Sequence, residues 1–407
     1  MLKMNSMLIN QDIHYSKNKI GYFIFLLAYF SLCFYSAFYV SRYCGENRFL
    51  ENIFFLLISI SFIIFARNRK INVHIIPTIL ACRSVVLIYN VIFVLETTPM
   101  WILSREAMTL CAVLVFTFAY NFTSKERTEL KILCASMSFI ISAQIICTYI
   151  IGGGVKSEIY SFIGYHNYSI TFLILFTAYL LFSDTDIFGK VVCVLALFAT
   201  VLSQSFGGMF VMLGVWLFFI IKKLNWKNKN TCIYTILGLI IFTVVLFLSP
   251  IKERIFTKIS QLFEGDYQSF GTGRLGLFEF SWGNIKRNIF LGILDNYNPE
   301  IFNTQLYSWF QHYTTHNHFL ESMLVYGIVG TVFNATSIIL IFVLGIKRCL
   351  KDKTRWPIFY GILAVFVHGF VEPSFLTMYF TLFFWLFAGV LVAPIKPFNC
   401  GYQLGGK

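Results

Sequence analysis

Residues 20–40 read IGYFIFLLAYFSLCFYSAFYV, 21 positions with no charged side chain. A helix rises about 1.5 Å per residue, so about 20 residues cross a hydrocarbon layer about 30 Å thick. Inside such a layer every backbone N–H and C=O must find its partner within the chain, which an α-helix provides and an open strand does not. The stretch therefore predicts a spanning helix. It is too long, and begins too late, to read as a cleavable leader, so no signal peptide is expected. Working outward, eleven further apolar segments follow at 50–66, 73–95, 103–122, 132–152, 167–183, 188–204, 207–222, 232–250, 318–345, 357–372 and 377–394. The predicted fold class is all-α: a polytopic helical membrane bundle of about twelve spans.

Composition leads to the same class. The 407 residues are 57% hydrophobic and 13% charged, with 47 Phe and a mean hydropathy of +0.72. About a quarter of a soluble domain is charged, so this chain cannot cover its apolar surface with polar groups in water. The same numbers exclude a disordered chain and a secreted disulfide scaffold. The ten Cys are scattered through apolar runs without a C-x-x-C pair, as small buried hydrophobes are.

The net charge of +13 reads as membrane orientation, and no nucleic-acid partner is expected. With the N-terminus in the cytoplasm, 21 of the 32 Lys and Arg fall in segments on that side. The short loops opposite hold four: Arg42, Arg48, Arg105 and Lys156. That asymmetry fits twelve spans with both termini inside.

One connection is unlike the rest. Residues 251–317 form a long outside loop carrying six basic and six acidic residues, and a long loop on a compact bundle is usually functional. The chain thus divides into spans one to nine (1–250), the loop (251–317), and spans ten to twelve with a cytoplasmic tail (318–407). Within the loop, Leu275, Phe278, Trp282, Ile285 and Ile289 recur at helical spacing. They predict an amphipathic helix, either lying on the membrane or closing as a partly buried lid.

Several residue groups carry potential chemistry. His316 and Asn317 open the tenth span in the string TTHNHFLESMLVYGIVG. An imidazole at the membrane boundary suits a general base or a partner for a sugar hydroxyl, although a polar helix start is a sufficient reason for it. Gly327 and Gly330 further along suggest close helix packing. His312, His316 and His318 raise a metal reading, but Tyr313 stands where a zincin pattern needs Glu and no third ligand is evident. No metal and no cofactor are expected. Arg274 follows Gly271-Thr272-Gly273, a pattern that lets a guanidinium and close backbone approach a phosphate; a surface turn has the same composition. Arg83 lies inside an apolar segment, where a charge is costly enough to suggest a role. Gly164-Tyr165-His166-Asn167-Tyr168, at the start of the sixth span, reads as sugar-facing or as an interfacial aromatic cluster.

Taken in order, the twelve spans, the long loop after the ninth, an Arg in that loop and His-Asn-x9-Gly-x-x-Gly entering the tenth span resemble the O-antigen polymerase and O-antigen ligase superfamily of bacterial surface-polysaccharide assembly. The likeness covers most of the chain as topology and mainly 271–330 as sequence. It implies a GT-C-like membrane glycosyltransferase, metal-independent and inverting, in the bacterial inner membrane with its active face periplasmic. The implied substrate is an undecaprenyl-diphosphate-linked glycan, and the implied partners are membrane lipid and a chain-length regulator protein. On this resemblance His316 and Arg274 are the catalytic pair, with Arg83, Arg105, Asn317, His318 and Asn167 binding substrate. The family tends to carry Ser-Arg or Thr-Arg at the turn after the seventh span. Here that turn reads Ser205-Phe206, leaving Arg83 or Arg105 as candidates for the second cation.

That departure favours polymerisation of repeat units over ligation of finished glycan to lipid A–core. A lipid-linked-oligosaccharide flippase is the alternative from another class. It should show internal repeats and charges spread through several spans, and neither pattern is evident.

Overall fold

The computed structural model describes residues 74–94, 100–122, 124–155, 159–161, 164–223, 251–266, 274–287, 289–292, 315–372 and 378–394, with Leu57, Ile60 and Ile64 besides. Among these the architecture is helical. In chain order the helices are α1 (Ile75–Val94), α2 (Met100–Tyr120), α3 (Ser124–Ile151), α4 (His166–Phe182), α5 (Ile187–Leu202), α6 (Phe206–Lys223), α7 (Ile251–Phe263), α8 (Arg274–Arg287), α9 (His318–Lys351), α10 (Trp356–His368) and α11 (Met378–Val392). A two-residue hairpin pairs Tyr160–Ser161 with Gly164–Tyr165 ahead of α4. Nine of the twelve expected spans coincide with helices α1–α6 and α9–α11. The segments 20–40, 50–66 and 232–250 lie outside the described residues, apart from the helical Leu57, Ile60 and Ile64.

The helices suit a bilayer. Glu129–Ile151 and His318–Lys351 are long and apolar enough to cross one, and six shorter helices among the described residues are predominantly apolar. Large apolar side chains cover outward faces: Ile132 at 66%, Phe210 at 66% and Leu350 at 69% exposure. Such a surface is a liability in water and a match for lipid.

The core explains the surplus of Phe. Helix α11 packs on α2, α10 on α4, and α9 on α1. Between α4 and α11, Phe172 meets Phe380 and Phe383 edge-on with ring centroids 5.3 Å apart in both pairs. Phe176 meets Phe383 at 5.6 Å. Edge-to-face pairs add about 0.5–1.5 kcal/mol beyond area burial. That matters in lipid, where helix association lacks a hydrophobic drive. At the end of the bundle holding the α9–α10 turn, Arg355 is buried and donates to the carbonyls of Val390, Leu391 and Ala393 at 3.3, 2.8 and 2.6 Å. It caps α11 with a charge suited to a helix C-terminus.

Helix α9 is not continuous. Gly327 adopts φ 61°, ψ −171°, a conformation essentially confined to glycine. The break frees amides from the helical ladder, and the loop supplies acceptors: Ile328 N donates to Ile289 O at 2.7 Å and Val329 N to Phe290 O at 3.3 Å. Gly292, at φ 75°, completes the junction, since a Cβ there would sit 2.5 Å from Gly327 N and Val325 O. The spacing in the sequence suggested helix packing for Gly327; its backbone instead receives the loop. Ahead of this junction α8 docks on α9, burying Ile285 against Leu324, while Trp282 stays 47% exposed.

Two glycines separate these effects. Gly292→Ala should lower stability by about 2 kcal/mol or more. Gly283→Ala, in α8 with open space where the Cβ would go, should be neutral or stabilising, because Ala is the better helix former. Thermal unfolding of the two purified variants in detergent measures both, and equal transitions would contradict the junction.

Candidate active site

The α9 start is built by short-range polar bonds. Asn317 is the N-cap: its side-chain oxygen accepts from Phe319 N at 2.9 Å and Leu320 N at 3.1 Å. Its amide donates to Phe370 O at 3.0 Å, while His318 N donates to Gly369 O at 2.8 Å. The start of α9 is thereby fastened to the end of α10. Glu321 accepts from Thr315 N at 2.8 Å, returning the chain across the first turn much as a capping box does. Held on both sides, His316 sits at φ 51°, a left-handed conformation uncommon for a residue with a Cβ. Such strain persists only where surrounding contacts impose it.

The contact that results is with Glu372, just past the end of α10. His316 Nδ1 lies 3.2 Å from Glu372 Oε2. Arg274 Nη2, from the first residue of α8, donates to Glu372 Oε1 at 2.9 Å. Asn167 Nδ2, in the first turn of α4, donates to the same oxygen at 2.9 Å. One carboxylate, 5% exposed, therefore gathers a loop cation, an imidazole and an amide from three separate segments. Behind it, His368 Nδ1 lies 3.2 Å from Thr171 Oγ1, and Glu372 N donates to His368 O at 3.0 Å.

The electrostatics follow from that company. Burial pushes the Glu372 carboxyl upward. The His316 hydrogen bond, then the charges of His316, Arg274 and His368, outweigh it and hold the group well below the usual carboxylate range, at about 2. An ionised carboxylate can only accept. The His316 Nδ1 facing it therefore carries a proton in either charge state of the ring, and in the neutral ring Nε2 is the lone-pair acceptor. A base whose tautomer is fixed by a buried acid can take a proton from a hydroxyl.

Of the residues singled out in the sequence, His316, Arg274 and Asn167 come together. Arg83 is elsewhere: buried in α1, it donates to Thr109 Oγ1 at 2.6 Å and lies 4.6 Å from the Tyr326 ring centroid. Tyr326 is ten residues beyond His316, about 15 Å along the helix. Asn317 caps α9, and His318 is buried beside Asn334, Nε2 to Nδ2 3.2 Å. Arg105 belongs to α2, but its side chain, like all of His312, lies outside the described residues. Among the described residues no three His, Cys, Asp or Glu converge as a metal centre would need. The Ser205-Phe206 turn is close by: a Cβ on Gly207 would lie 2.8 Å from Val371 Cγ2, next to Glu372. Phe206 itself packs against Val201 and Met209.

Glu372 was missed. The available signal was a lone carboxylate, before Pro373, closing an apolar run that otherwise holds only Tyr360 and His368 as titratable groups. A charge so placed is a functional candidate by default.

Residues 191–335 match the model of the O-antigen ligase family. The match runs from α5 into α9 and includes Arg274 and His316; Asn167 and Glu372 fall outside it. No curated protein matches the chain.

The depressed Glu372 group fixes a sign. Its stabilisation is complete above the unfolded value of about 4.3 and is lost as pH falls toward the folded value of about 2. Glu372→Gln should flatten this part of the stability–pH curve. Thermal unfolding of parent and variant between pH 6 and the acid limit checks it: parallel curves would mean that Glu372 is not held ionised.

Proposed function

We propose that this chain, which matches the model of the O-antigen ligase family over residues 191–335, joins undecaprenyl-diphosphate-linked repeat units into a surface polysaccharide. The family points to glycosyl transfer on lipid-linked glycans within a membrane. The finer reading, a metal-independent, inverting polymerase acting on the periplasmic side of the inner membrane, is ours. It rests on one observation above the rest: Arg274 and His316, 42 positions apart in sequence, meet on the single carboxylate of Glu372.

The chemistry follows from that meeting. A hydroxyl of the acceptor sugar attacks the anomeric carbon of the donor from the face opposite the diphosphate, which inverts the centre. His316 Nε2 takes the hydroxyl proton as the new C–O bond forms. The bond from the anomeric carbon to the phosphate oxygen breaks, and its electron pair leaves with the diphosphate. Arg274 stabilises the charge gathering on that leaving oxygen, where a preorganised cation contributes most. Glu372 keeps the imidazole in the proton-accepting tautomer and holds Arg274 at the same place. Asn167 fixes the carboxylate from the opposite wall.

Polymerase and ligase readings share every one of these steps and differ in the acceptor. Phe206, standing in the sequence where the resembled family tends to carry a second Arg, supports the polymerase reading. A chain-length regulator remains the proposed protein partner.

The test uses a strain lacking its own copy, complemented with variants at matched expression. His316→Ala and Arg274→Ala should each reduce polymer by about 100-fold or more, leaving a band of one repeat unit on the glycan gel. Glycan absent from core would assign ligation instead, lipid-linked units trapped inside the cell would assign flipping, and full ladders in both variants would overturn the catalytic reading.

A further inference from the structure

Helix α7 has a use that the glycosyl-transfer chemistry does not account for. Its sequence, IKERIFTKISQLF, sorts cleanly at about 100° per residue. Ile251, Ile255, Phe256, Ile259, Leu262 and Phe263 fall within one arc of about 140°, with Glu253, Thr257, Ser260 and Gln261 opposite. The apolar arc is largely exposed: Phe256 is 55% exposed, Ile259 43%, Leu262 43% and Phe263 85%. Among the described residues no helix packs broadly on α7, in contrast to α8, which seats Ile285 on α9.

Position decides what covers that face. The helix starts at residue 251, immediately after the apolar segment 232–250, with no linker to carry it away from the hydrocarbon boundary. Lys252, at the membrane end, falls within the apolar arc, where its long stem can lie in the interface while the ammonium stays wet. Lys258 flanks the other edge. A wide apolar face bordered by lysines, contiguous with a span, is the pattern of a helix lying in the plane of the bilayer surface.

We infer that α7 is a membrane-surface helix whose Phe256–Ile259–Phe263 face inserts among phospholipid acyl chains beside the ninth span. The inference rests on reading 232–250 as that span, and not on the transfer reaction. It adds 251–263 to the loop elements at the membrane surface, while 274–287 seats Ile285 on α9. Phe263 and Arg274 are eleven residues apart, at most about 40 Å of extended chain. A float at the headgroup level therefore keeps Arg274 within reach of a diphosphate anchored in the same leaflet.

A photoreactive benzophenone amino acid placed singly at Phe256, Phe263 and Thr257 of the full chain tests this in phosphatidylethanolamine–phosphatidylglycerol vesicles. Illumination should give phospholipid adducts by mass spectrometry at 256 and 263 and none at 257. Protein-only crosslinks at 256 and 263, no adduct at either, or equal lipid adducts at all three positions would overturn the inference. An enzyme without transferase activity would leave this readout unchanged.

Discussion

A buried carboxylate is stable only when its charge is answered, and Glu372 answers it three times. Removing one partner from such an ion cluster typically costs about 3–5 kcal/mol, because the remaining charge stays away from water. The arrangement therefore constrains more than itself. The start of α4, the start of α8, the left-handed turn before α9 and the turn after α10 must all arrive at one point for the charge to be tolerated.

The rest of the fold can be understood as what brings them there. Asn317 ties the α9 entrance to Phe370. The break at Gly327 accepts the backbone of 289–290, fixing the far end of the α8 segment while Arg274 fixes the near end. The aromatic layer of Phe172, Phe176, Phe380 and Phe383 holds α4 to α11. Among the described residues loop and bundle thus meet, besides the packing of Ile285 on Leu324, at a backbone junction within α9 and at an ion pair at its entrance. The junction depends on glycine and the ion pair on charge. The polar partner Asn167 and the acid lie outside the matched stretch 191–335, so the cluster joins that stretch to the remainder of the chain.

Much of the helical frame was legible because hydropathy reports burial in lipid directly. The expected 167–183 and 377–394 differ from α4 and α11 by two residues or fewer at each end. The expected 132–152 began late, since α3 starts at Ser124 with a polar stretch, KERTE, that helix geometry includes and hydropathy does not. The expected 357–372 ran past Gly369, because Phe370 and Val371 remain apolar after α10 ends at His368. His316, Arg274 and Asn167 were visible as residue types in suggestive settings. Glu372 was not, since it lies 56 positions from His316 and 98 from Arg274 and no local spacing encodes such a contact. Gly327 was visible, but its conformation was not: apolar residues continue on both sides of the break, and the missing helical bonds are restored by a distant loop.

The central claim is that His316 acts through the acid it faces, and a double-mutant cycle measures this most directly. Initial transfer rates with purified lipid-linked donor would be compared for the parent, Glu372→Gln, His316→Ala and the double variant. If Glu372 works in large part by holding His316, the double variant should lose far less than the product of the two single losses, the remaining loss reflecting its hold on Arg274. Losses that multiply independently would show that the carboxylate and the imidazole do not act as one unit.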